Sequence, residues 1–168
     1  MTPDLTRVGE FYHNYIRLVE QEDLNKAFLK YSASFLDFFK ALPDNKLDFR
    51  YSPGKWTIRE VLQHIIDAER VFSYRALRFA RKDATPLPGF DENLFAETSK
   101  ASHRSWDDLL EEFSVVRKSS ALLFQSFDEE QLNASGISSG SSNYVLALGY
   151  IIIGHSLHHQ NIIRERYL

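Results

Sequence analysis

Six histidines occur among 168 residues, and two of them, His155 and His159, are four residues apart. On a helix that spacing puts both imidazoles on one face about one turn from each other, close enough to chelate a single ion. His64 lies between Leu62 and Ile65 in an apolar periodic segment. It is the natural third ligand, because helical bundles build metal sites from side chains that project inward from facing helices. A lone helix histidine is more often a hydrogen-bonded core residue than a ligand, so the pattern leaves both roles open. His158 falls on another face, where it orients the site or meets solvent.

Three neutral imidazoles suit Zn, Ni, Co or Fe(II) better than Mg or Ca, which prefer oxygen donors. Zn or Ni is the first expectation. Three protein ligands leave a coordination position open, the arrangement of a catalytic rather than a closed structural site. The chain has no cysteine, which removes disulfides, thiolate zinc sites and cysteine nucleophiles. It also lacks a Gly-rich phosphate loop, G-x-S-x-G and H-E-x-x-H, the signatures of nucleotide hydrolysis, serine hydrolases and zincins.

Two carboxylates are weaker candidates for catalysis. Asp67 follows His64 by three residues, and Asp91 sits in a Pro-Gly loop, Thr85-Pro86-Leu87-Pro88-Gly89-Phe90-Asp91, that is expected to overhang the site. The competing roles are a salt bridge for Asp67, as for Glu69, with the arginines nearby, and an Asx turn anchoring the loop for Asp91. Arg75 is a further neighbour of the site, and with Arg78 and Arg81 it either binds an anionic substrate or forms a solvated or dimer-facing row. Trp56 and Trp106 read as apolar anchors at helix starts.

Four segments must position these groups. Apolar residues recur at helical spacing over 23–42, ending near Pro43, and an aromatic stretch before it, Phe11 to Val19, predicts a short helix or an arm laid on the same core. Thr57-Ile58-Arg59-Glu60 has the form of a capping box and opens a second helix that runs to about Phe79. Ser105 caps a third helix carrying Leu109, Leu110, Phe113, Val116 and Leu123. A Ser- and Gly-rich loop over 133–143 precedes a fourth helix over 144–166. No period-2 strand pattern stands out, so the expectation is an all-α four-helix bundle forming a single domain over residues 1–168.

Composition agrees with this class and excludes others. The chain is 43% hydrophobic with 13 Phe, 8 Tyr and 2 Trp, enough apolar area to offset chain entropy. A net charge of -3 offers no field for phosphate backbones, so nucleic acid is not an expected partner. The longest strongly apolar stretch, 144–153, is about half of the ~20 residues a membrane span needs. With no basic and apolar leader at the N-terminus, a cytoplasmic protein without a membrane partner is expected.

Three stretches together resemble a known family: Pro53-Gly-Lys-Trp-Thr-Ile-Arg-Glu-Val-Leu-Gln-His64-Ile-Ile-Asp67-Ala-Glu69-Arg70, the loop Pro86-Leu-Pro-Gly-Phe-Asp91, and Gly154-His155-Ser-Leu-His158-His159-Gln-Asn-Ile-Ile-Arg-Glu-Arg-Tyr167. In order and separation they are similar to the DinB-like, DNA-damage-inducible proteins. The resemblance implies a four-helix bundle with long crossover connections, a homodimer, and a divalent metal held by His64, His155 and His159. It further implies a metal-dependent enzyme acting on a small-molecule substrate. Two forms are open, an S-transferase using a low-molecular-weight thiol and a small-molecule hydrolase. The alternative is a non-enzymatic, metal-binding stress-response protein acting as a dimer.

Overall fold

The computed structural model describes residues 2–168. Four long helices form the bundle: α2 (Leu24–Lys40), α3 (Ile58–Ala80), α5 (Trp106–Gln125) and α7 (Val145–Arg166). Their starts obey the local signals in the sequence. Asp23 caps α2 and Ser105 caps α5, each side-chain oxygen accepting from first-turn amides. At α3 the Thr57–Glu60 capping box is complete in both directions.

Side-chain contacts fix the arrangement. Residue numbers rise together along α3 and α5, where Glu69 pairs with Arg117 at 2.8 Å and Ser73 meets Ser120 at 2.9 Å, so these helices are parallel. Helices α2 and α5 run opposite ways, with Phe28 on Phe124 and Phe39 on Phe113. So do α3 and α7, with His64 near His159 and Phe72 near His155. Each of α2 and α3 packs on both α5 and α7, which places consecutive helices α2 and α3 on one diagonal and α5 and α7 on the other. Parallel neighbours and diagonal partners cannot be joined by tight turns, and this is why the connections are long crossovers.

The crossovers carry structure of their own. A single-turn helix α1 (His13–Arg17) follows a 3-10 turn over Glu10–Tyr12 and packs on α7, α4 (Glu92–Thr98) lies on α3, and α6 (Glu129–Asn133) meets both α3 and α7. The Ser- and Gly-rich segment expected to be a loop is instead a hairpin, β1 (Ser135–Ser138) paired antiparallel with β2 (Ser141–Tyr144). Its two-residue turn, Ser139-Gly140, has φ of 50° and 75°, the left-handed pair that such a hairpin requires. Apart from Ile137 and Tyr144 the strands hold only Ser, Asn and Gly, and they show no apolar alternation. They form because Gly136 lies flat on the Phe79 ring, where a Cβ would stand 2.2 Å from a ring carbon.

The first half of α7 is apolar on every side, and residues 145–156 are all buried. Such a helix must be surrounded. Helices α1, α2, α3 and α6 and the hairpin enclose it. In the same core the Glu69–Arg117 pair is buried, and Arg117 Nη2 also donates to Ser156 Oγ at 2.7 Å, one residue beyond His155. No helix among the described residues is long and apolar enough to cross a membrane.

Candidate metal centre

Helix α3 delivers His64 from its second turn and α7 delivers His155 and His159 from successive turns, and the antiparallel packing brings the three to one point. The Nε2 atoms of His64 and His155 are 3.0 Å apart and those of His155 and His159 are 3.1 Å apart. One ligand nitrogen from each ring lies within 4.8 Å of the others.

Hydrogen bonding alone does not account for this geometry. A neutral imidazole nitrogen carries either a proton or a lone pair, so the single Nε2 of His155 cannot make two good hydrogen bonds to two other Nε2 atoms. A cation between the three lone pairs satisfies all of them at once. Tetrahedral coordination with Zn–N bonds of about 2.0–2.1 Å separates ligand nitrogens by about 3.4 Å, within a few tenths of an ångström of the two close spacings. The residues present therefore fit a divalent transition metal.

The surroundings keep the rings in the ligand form. Burial pushes the His64 pKa down to about 4. His155 and His159 are held well below the usual imidazole range, by burial first and then by the neighbouring histidines. Neutral imidazoles bind metal without first releasing a proton.

These nitrogens lie in the wall of a cavity of about 360 Å³. Aromatic rings dominate the rest of that wall. The Trp56 ring lies tilted at 4.7 Å from the His64 ring and 6.4 Å from His159, so it shapes the site and is more than a helix-start anchor. Tyr15 sits edge-on to His155 at 5.4 Å and to His158 at 5.2 Å. This contact fixes half-buried His158 beside the site. Burial, then the charges of Tyr12 and Glu92, raise the Tyr15 pKa and keep its phenol protonated.

The two carboxylate candidates lie elsewhere. Asp67 accepts from Gln63 Nε2 at 2.9 Å and faces Arg70, outside the cavity; three residues along a helix is far enough round to turn it toward α5. Burial raises its pKa. Asp91 caps α4, accepting from the amides of Asn93 and Leu94, which is the anchoring role of an Asx turn. Its neighbour Glu92 is the carboxylate that lines the cavity. Glu69 pairs with Arg117 of α5 and not with the arginines nearby on its own helix.

Arg75 is neither a solvated nor a dimer-facing arginine. It is 1% exposed and clamps the two loops at the cavity mouth, donating from Nη2 to Pro88 O at 2.9 Å and to Ser139 Oγ at 2.8 Å. Arg78 pairs with Asp83 on the outer side. The sequence pattern did not single out Tyr12, Tyr15 or Glu92. The aromatic density before α2 is the signal that marks the first two.

Comparison with known proteins agrees with the fold. YfiT from Bacillus subtilis, described as a probable metal-dependent hydrolase with an unusual four-helix bundle topology, superposes with a TM-score of 0.74 over 87% of this chain and 85% of its own, at 17% sequence identity. No curated protein matches the sequence. The profile of the DinB superfamily matches residues 28–163, and so covers all four bundle helices except the first four residues of α2 and the last three of α7. The chain belongs to the DinB superfamily.

Proposed function

We propose that this protein is a metal-dependent hydrolase of small acyl compounds, with His64, His155 and His159 holding one Zn or Ni ion. The convergence of the Nε2 atoms of buried His64 and His155 and half-buried His159 on the wall of an open cavity carries this reading. When bound, the ion supplies Lewis acidity and a nucleophile at neutral pH. The chain's own residues bind and orient. The histidines present lone pairs from two rigid helices, and Trp56 and Phe72 wall the site and limit the water that reaches it.

The description of YfiT as a probable metal-dependent hydrolase supports hydrolysis over thiol transfer.

Metal content by mass spectrometry on untagged protein is the direct test. Wild type should carry about one ion per chain, and His64→Ala, His155→Ala and His159→Ala should each lose it. The loaded wild type should then hydrolyse aryl esters or amides, while His64→Ala stays folded without turnover. Protein that remains empty after incubation with Zn and Ni refutes the proposal. Loss of metal that collapses the melting temperature, with no turnover in wild type, favours the non-enzymatic alternative.

A further inference from the structure

Tyr12 and Tyr15 both line the cavity, and neither phenolic hydroxyl has a hydrogen-bond partner among the described residues. This sets them apart from other tyrosines in the core. Tyr144 Oη accepts from Asp4 N, Tyr150 Oη donates to Glu22 O and Tyr167 Oη donates to Trp56 O, each at 2.7 Å. Neither the Tyr12 nor the Tyr15 hydroxyl is among the buried unpaired polar atoms, so both are open to solvent and to a ligand in the cavity. Tyr12 is only 8% exposed.

The fold goes to some length to bring Tyr15 here. At Gly154 a Cβ would stand 1.9 Å from the Tyr15 carbonyl oxygen, so α1 can lie against α7 only because position 154 has no side chain. That contact, one residue before His155, seats the Tyr15 ring on His155. The single-turn helix α1, with the 3-10 turn that ends at Tyr12, is thus locked onto α7 and brings two phenols to the cavity wall.

On the opposite chemical side, Glu92 is the one charged side chain among the described lining residues other than the histidines. Phenols donate and a carboxylate accepts. An amide has both complements, a carbonyl oxygen and an N–H, and the aromatic wall suits an apolar or aromatic body.

We propose that Tyr15, with Tyr12 beside it, is a substrate-orienting residue whose hydroxyl donates to the carbonyl oxygen of a compact aromatic amide, while Glu92 accepts from the amide N–H. The choice of an acyl compound rests on the hydrolase reading; the donor role of Tyr15 does not.

Benzamide and toluene, which share a ring and differ in the amide, separate the donor role from simple packing. Their binding to wild type, Tyr15→Phe and Tyr12→Phe is followed by NMR chemical-shift titration, with metal content and melting temperature measured on the same samples. Tyr15→Phe keeps the ring and removes a hydroxyl that has no partner in the protein, so folding is expected to be unchanged. Benzamide should bind wild type and weaken about fivefold in Tyr15→Phe, the equivalent of one neutral hydrogen bond. Toluene should be indifferent to the change. Tyr12→Phe should weaken benzamide by a smaller factor.

The proposal is overturned if benzamide does not bind wild type, or if Tyr15→Phe shifts benzamide and toluene equally or shifts neither. A benzamide-specific loss in protein that carries no metal upholds the donor role and removes the hydrolase reading.

Discussion

Replacing Gly154 by alanine tests whether α1 is seated on α7 as described. Helix propensity alone makes this change favourable by about 1 kcal/mol, because glycine in a helix interior costs roughly that relative to alanine. The structure predicts the opposite sign. The added Cβ would lie 1.9 Å from Tyr15 O and 2.5 Å from Tyr15 C, and these are backbone atoms that cannot rotate away. Helix α1 must lift, loosening Ile16 and Val19, which are 0% and 2% exposed.

Overpacking of this kind typically costs about 1–3 kcal/mol, so after the propensity gain a net destabilisation of about 1 kcal/mol is expected. For a chain of this size that lowers the melting temperature by about 2–4 °C. Gly149→Ala is the matched control on the same helix. There the new Cβ would meet Leu24 Cδ2 at 2.8 Å and Phe124 Cε1 at 3.0 Å, both side-chain atoms, and the Leu24 terminus can give. Its effect should be clearly smaller. Thermal unfolding reads stability, and near-ultraviolet circular dichroism reports the packing of Tyr15. If Gly154→Ala is as stable as wild type with an unchanged near-ultraviolet spectrum, the close approach of α1 is wrong.

Two other outcomes follow from the buried polar groups. In metal-free protein, His64 has a folded pKa of about 4 against 6.5 for the free side chain, so between these values the unfolded chain takes up a proton that the folded chain refuses. Stability is therefore full above pH 6.5 and falls as the pH drops, by about 2 kcal/mol from His64 between pH 6.5 and 5. Urea unfolding at pH 7 and pH 5 in the presence of EDTA measures this, and His64→Gln should show a shallower loss; an equal slope in the two proteins would contradict it. Separately, Glu69→Ala strands the Arg117 guanidinium, 1% exposed, without its carboxylate. Breaking such a pair should cost about 3–5 kcal/mol, and replacing both partners by methionine should restore most of it. A Glu69→Ala protein within 1 kcal/mol of wild type in urea would show that the pair is not enclosed as described.

The bundle helices were legible because their information is local. Asp23, Thr57 and Ser105 stand where a cap must stand, and the apolar period of each segment names the face that will be buried. The His155–His159 pair was legible for the same reason, since helix geometry alone sets four-residue neighbours on one face. The hairpin was not. Its eight paired residues are polar or glycine except Ile137 and Tyr144, and their pairing depends on Phe79, a residue more than fifty positions away, against which Gly136 lies.

The carboxylates show the same division at finer scale. Asp67 and Asp91 stand near histidine or loop motifs in the chain, yet helix phase turns Asp67 toward α5 and capping occupies Asp91, while Glu92, one residue on, lines the cavity. Arg75 likewise reads as one of a row of surface arginines until the two loops that fold over it leave it 1% exposed.

By itself the sequence determined the four helices, the caps of α3 and α5, the family and which histidines could share an ion, all properties of short-range spacing. Tertiary structure alone decided the order of the helices around the bundle, the approach of α1 at Gly154 and the set of side chains that face the histidines. These depend on contacts between residues far apart in the chain, and spacing along a helix carries no information about what packs against it.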